Sequence, residues 1–165
     1  MTTEEKALFE SKKRTEKKIR VAVDKLDLNQ KKVLSLRDVS AESSGKVCGP
    51  KAANLGQLKL MFSENVVEGL VIPFGIFRQH MEQQMPGVNQ SYWQFLNATF
   101  VEAYRMGKTA IGTKAIDDYV LKNLEILREA ILKMPFLPDF ESDFNNQFRL
   151  VLGKETGTLP VFLRS

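Results

Sequence analysis

The sequence is poor in the residues that most often carry chemistry: its 165 positions include one cysteine, one histidine and one tryptophan. A single thiol, Cys48, excludes an intrachain disulfide. A single imidazole, His80, has no second histidine, cysteine or carboxylate cluster beside it, so it reads as a structural or surface residue and not as a metal ligand. Long apolar runs are missing too. Glu68, Pro73 and Arg78 interrupt the best candidates well short of the roughly 18 residues that a membrane span needs, so no membrane partner is expected. The chain starts with charged residues where a secretory signal would carry an apolar core, and a cytoplasmic location follows as the expectation. Ten glycines and six prolines are too few for a fibrous or disordered chain. The length suffices to bury a core, and a soluble globular chain is expected.

The net charge of +4 is concentrated near the start. Residues 1–32 carry ten Lys and Arg against six Asp and Glu, and the remainder is close to balanced. From Thr3 to about Leu26 there is no glycine or proline, and a weak apolar stripe runs through Ile19, Val23 and Leu26. A helix is expected there, with Thr3 as its cap and Glu16 paired to Arg20 four residues on. Residues 1–32 therefore read as a basic helical arm. Without interleaved aromatics it makes a poor single-strand binder, and nucleic acid is not an expected partner.

Lys32 to Val39 reads as a short strand or extended segment, and Ser40 to Gly49, rich in Ser, Gly and charge, as a loop. Then comes Gly49-Pro50-Lys51-Ala52-Ala53-Asn54-Leu55-Gly56-Gln57-Leu58. Gly-Pro followed by an apolar stripe at Leu55, Leu58 and Phe62 predicts a helix with Lys51 in its first turn. A cation there opposes the positive end of the helix dipole unless an anion sits beside it. By local chemistry alone, a phosphate contact and a solvated surface lysine both remain open.

Leu70 to Pro73 predicts a short strand stopped by proline, and Gly75 to Gln84 a helix. After the Pro86-Gly87 turn, Tyr92, Leu96, Phe100, Ala103 and Met106 recur at helical spacing, thickened by Trp93, Phe95 and Tyr104. No basic residues line that stripe, so it reads as core-facing and not as a base-stacking platform. Gly107-Lys108-Thr109 is no phosphate-binding loop, because Glu102 stands where the leading glycine is required. Two more helices follow. One presents Ile116, Val120, Leu124, Leu127 and Ile131, with Thr113 as cap and Pro135 as stop; the other presents Phe140, Phe144, Phe148 and Val151 between Pro138 and Gly153. Finally, Pro160-Val161-Phe162-Leu163-Arg164-Ser165 has the composition of a buried strand, and the chain is expected to continue beyond it.

Two separated motifs, with a turn between them, together resemble one family. The segment Gly49 to Leu58, the Val71-Ile72-Pro73-Phe74-Gly75 turn and the Val161-Phe162-Leu163-Arg164-Ser165 segment are similar to the N-terminal signatures of the phosphoenolpyruvate synthase and pyruvate phosphate dikinase family. The resemblance covers about Leu36 to Ser165. It departs at Pro50, where the family commonly has a second glycine, and at Phe74, where it commonly has a second proline.

The resemblance implies an α+β fold, predominantly helical with a few short strands: residues 33–165 as an incomplete front portion of an ATP-grasp nucleotide-binding domain, truncated at its C-terminal end. It implies an ATP-dependent phosphotransferase in which ATP, with Mg2+, phosphorylates a carrier histidine on a separate domain, the group then passing to pyruvate or a related acceptor. Lys51 and Arg164 are the catalytic and nucleotide-binding residues it implies, both contacting the phosphates. The Ser40 to Gly49 loop would face those phosphates. Metal-binding carboxylates, the adenine-binding half and the carrier histidine would all lie beyond Ser165, and His80 matches none of them. This chain by itself is expected to be inactive and to bind ATP weakly at best. The alternative is a non-catalytic helical binding module whose basic arm contacts nucleic acid or an acidic partner.

Overall fold

The computed structural model describes residues 23–109 and 111–164. Most of the expected basic helix lies outside the described residues; within them, Val23–Lys25 forms a single 3-10 turn. From there the chain runs through β1 (Leu34–Ser35), α1 (Pro50–Met61), β2 (Leu70–Val71), α2 (Phe74–Met81), α3 (Tyr92–Met106), α4 (Thr113–Leu132) and α5 (Pro138–Leu152). The described residues are thus α+β, mostly helical, with one two-stranded antiparallel sheet that sets Leu34 opposite Val71 and Ser35 opposite Leu70.

The expected extended segment from Lys32 to Val39 is strand for only two residues. Ser35 diverts it into a 3-10 turn, Leu36–Asp38: its hydroxyl accepts from the Arg37 amide (3.2 Å) while the Asp38 carboxylate accepts from the Ser35 amide (3.0 Å). That reciprocal cap changes which residues face inward. Val33, Leu36 and Val39 are buried, a spacing of three in place of the strand's alternation.

Leu36, Val39, Cys48, Ala53 and Val71 form the core around the sheet, and α1 closes it. The apolar stripe predicted for α1 is not the face it buries. Leu55, Leu58 and Phe62 are exposed, and Ala53, Gly56 and Lys59 are buried instead. The reason is steric. The segment from Leu36 to Val39 lies so close to α1 that only small side chains fit between the two backbones, which turns the large apolar residues outward.

The second core joins Met81, Met85, Tyr92 and Leu127, packing α3 on α4 and on the turn after α2. Ser91 starts α3 with a capping box: its hydroxyl accepts from the Gln94 amide (3.1 Å) and the Gln94 side chain accepts from the Ser91 amide (2.8 Å). On α3 the buried line passes through Tyr92 and Thr99, whereas Phe100 and Tyr104 of the predicted stripe are exposed. Thr113 begins α4 as its first helical residue and Gly112, not Thr113, occupies the cap.

Proline at the first position and Gly153 at φ +66° bound α5 as expected. Its Phe140, Phe144 and Phe148 rings step along one face at 5.8 and 6.0 Å between neighbours. The helix packs on both strands, and the Asp143 carboxylate accepts the Val33 amide at 2.7 Å. The final segment departs from expectation. Residues 160–164 form no strand; Phe162 is 100% and Leu163 91% exposed. An isolated strand gains too little from its own backbone to persist, and no strand among the described residues pairs with this one. Among the described residues no helix is long and apolar enough to cross a membrane.

Candidate functional site

The loop from Ser40 to Gly49 delivers the chain to α1 through a dense set of local bonds. The Ser43 carbonyl oxygen accepts from the amides of Lys46 (3.2 Å), Val47 (3.0 Å) and Cys48 (3.3 Å), which folds the loop back on itself around Gly45 at φ +68°. Cys48 is buried inside this fold, and burial pushes its thiol pKa up, so it is a packing residue and not a nucleophile. The loop is tied outward as well: Asp27 donates its amide to the Lys46 carbonyl (2.9 Å), and Phe74, the first residue of α2, donates to the Val47 carbonyl (2.9 Å). Gln57 reaches back from α1 to accept the Ala41 amide at 3.3 Å.

Gly49 caps α1 without a side chain, Pro50 fills the first helical position, and Lys51 follows in the first turn at the surface, as its sequence context predicts. That turn itself carries no acidic residue. Arg164 lies in the irregular, exposed segment near the chain end and is not placed on a strand. The two residues that the resemblance implies are thus held differently, Lys51 by a packed helix and Arg164 by an exposed segment without regular structure.

The far end of α1 holds a feature the sequence reading missed. Lys59 is 3% exposed yet fully provided for: its ammonium donates to the carbonyl oxygens of Ser63 (2.6 Å) and Val66 (2.5 Å) and lies 3.0 Å from Glu68 Oε1. Arg37 meets the same carboxylate from the other side, Nε donating to both oxygens at 3.2 Å and Nη2 bonding Oε1. Hydrogen bonds from Arg37 first and Lys59 second hold the Glu68 carboxyl below the usual carboxylate range. The signal available in sequence was the spacing of small residues at 52, 53 and 56, which marks a close-packed helix face and puts Lys59 on the same side.

Two concavities flank these elements. One, of about 360 Å3, is lined by Asp27, Asn29, Gln30, Asp38 and Ser43 over Leu34, Val39 and Val47. Among the described residues its wall holds two carboxylates and no cation, which disfavours a phosphate, and neither Lys51 nor Arg164 lines it. The other, of about 240 Å3, is apolar and has His80 in its wall. Of the structural or surface role expected for it, the surface alternative does not hold: His80 is buried with both ring nitrogens engaged. Gly107-Lys108-Thr109 follows α3, and the amides of all three bond back to carbonyls of the last helical turn.

Among the described residues no group of three or more His, Cys, Asp or Glu side chains is placed to hold a metal ion. No protein-family model, curated protein or solved structure matches this chain.

Proposed function

We propose that the chain is the front portion of the ATP-grasp nucleotide-binding domain of a cytoplasmic ATP-dependent phosphotransferase of the phosphoenolpyruvate synthase or pyruvate phosphate dikinase type. The observation that carries this reading is Lys51 in the first turn of α1, behind Gly49-Pro50 and with no acidic residue in that turn. A helix start of that kind fits the phosphates of ATP, with the lysine as a point charge on the transferring oxygens. Arg164 is the second phosphate contact in this proposal, its guanidinium able to span two oxygens once its segment is ordered as a strand. Phosphoryl transfer is chiefly positioning and charge neutralisation, and both residues serve those ends. Mg2+ would be held by carboxylates that the family resemblance puts beyond Ser165. The acceptor is pyruvate or a related compound, reached through a carrier histidine on another domain.

The test is ATP-dependent phosphorylation by the protein expressed from its intact reading frame. Lys51→Ala and Arg164→Ala should each lower turnover by about two or more orders of magnitude, in line with the loss of one preorganised charge at a transferring group. Near-normal turnover in both variants sinks the assignment.

A further inference from the structure

His80 is the only histidine of the chain and is 9% exposed. Its Nδ1 lies 2.9 Å from the carbonyl oxygen of Ile76, one turn back on α2, and its Nε2 lies 3.3 Å from the backbone nitrogen of Leu137. A carbonyl only accepts and an amide N–H only donates. One arrangement satisfies both, with the proton on Nδ1 and the lone pair on Nε2, and that ring is neutral. Leu137 is the residue that caps α5, so this bond ties α2 to the connector between α4 and α5. The same connector is held by Gln83, which donates to the Pro135 carbonyl at 3.2 Å. Phe140 and Phe136 stand edge-on to the imidazole at 5.1 and 6.0 Å.

The ring forms part of the wall of the apolar cleft of about 240 Å3, among Ile72, Ile76, Phe77, Ile131, Met134 and Phe136. Among the described residues no other titratable side chain lines it. Close in sequence to the lining residues are Arg78 on α2 and Glu82 just after it, which pair with each other, Arg128 and Glu129 on α4, Lys133 after it, and Asp139 and Glu141 in the first turn of α5. None of them reaches the cleft wall, so among the described residues no carboxylate there balances a positive ring.

We propose that His80 is a proton-controlled latch: neutral, it holds the connector at Leu137 against α2, and protonated, it lets go. A proton on Nε2 sets two donors face to face and strands a cation among hydrocarbon walls, and both costs are relieved when the ring swings into water. The open form binds one more proton than the closed form, so acid favours opening. Release separates His80 from Phe136 and Phe140 and widens the cleft.

The experiment is nuclear magnetic resonance on the full chain between about pH 8 and about pH 5, the interval in which imidazoles commonly titrate. It follows the ring nitrogens of His80 together with hydrogen-exchange protection at Phe136 and Leu137, corrected for intrinsic exchange. The neutral Nδ1–H form should dominate at the alkaline end. On acidification the ring should take up its proton and Leu137 should lose protection with the same midpoint, by up to about tenfold per pH unit. His80→Gln, whose amide oxygen accepts the Leu137 N–H but does not titrate, should show flat protection. The proposal is overturned if the ring protonates while Leu137 stays protected, if the ring stays neutral throughout, or if protection falls equally in the glutamine variant. Should that variant fail to fold, coincidence of the two midpoints in the unaltered chain still decides the matter.

Discussion

A Cβ placed on Gly56 would stand 2.5 Å from both Cγ2 and the carbonyl oxygen of Val39, and 2.9 Å from the carbonyl oxygen of Leu36. Two of those three atoms are backbone and cannot rotate away. Alanine is normally preferred to glycine within a helix by about 1 kcal/mol, so an unconstrained site would gain from the exchange. Here the clash dominates, and Gly56→Ala should lower stability by about 1–3 kcal/mol, read as a lower urea midpoint at unchanged slope. A raised midpoint would mean that α1 does not approach the Leu36 to Val39 segment as closely as described. This contact also marks where the sequence is hard to read. The start of α1 was legible from Gly49-Pro50, and Lys51 fell in the first turn as predicted, because caps and turns are written in adjacent residues. The buried face of α1 was not, because it is set by a backbone far away in sequence, and the hydrophobic stripe through Leu55, Leu58 and Phe62 points to solvent.

At the scale of elements, the Arg37, Glu68 and Lys59 group joins three pieces of chain: the turn after β1, the end of α1 and the approach to β2. Removing Lys59 by Lys59→Met leaves the Ser63 and Val66 carbonyls without their donor and Glu68 with one partner fewer. A loss of about 1–3 kcal/mol is expected, smaller if water reaches the carbonyls, and calorimetric unfolding measures it. The carboxyl of Glu68 brings a pH dependence. Its folded pKa is depressed, so its stabilising contribution is complete above the ordinary glutamate value of about 4.3 and disappears as pH falls through the lower, folded value. Stability against pH should therefore fall less steeply on the acid side in Glu68→Gln than in the unaltered chain, and parallel acid limbs would contradict the pairing. The helices α4 and α5 were legible at this scale because each keeps an unbroken apolar period between clear stop residues, Pro135 and Gly153 among them. The segment from Val161 to Leu163 has strand composition and no strand, since strand formation depends on a neighbour that composition does not reveal.

For the whole molecule, exposed apolar residues lie on several elements of the described residues, and two groups of them are Leu55, Leu58, Met61 and Phe62 along and just after α1, and Val161, Phe162 and Leu163 near the chain end. On the proposed reading, both are surfaces that the rest of an ATP-grasp domain covers, and Arg164 gains its phosphate-facing position only when its segment joins a strand. Lys51 alone is one charge at a helix start, worth little in water at cellular salt. Micromolar affinity needs about 8 kcal/mol of net binding free energy, which one exposed cation at a helix start cannot supply. Titration calorimetry of residues 1–165 with ATP and Mg2+ should therefore show no saturable binding at micromolar concentration. The protein from the intact reading frame should bind, and Lys51→Ala in that longer protein should weaken the binding. Tight binding by residues 1–165 alone would show that the nucleotide site is complete within them, which removes the premise that a second wall of the cleft is required. Failure of the longer protein to bind ATP would dismiss the phosphotransferase reading and leave Lys51 as a surface lysine at the start of a packed helix.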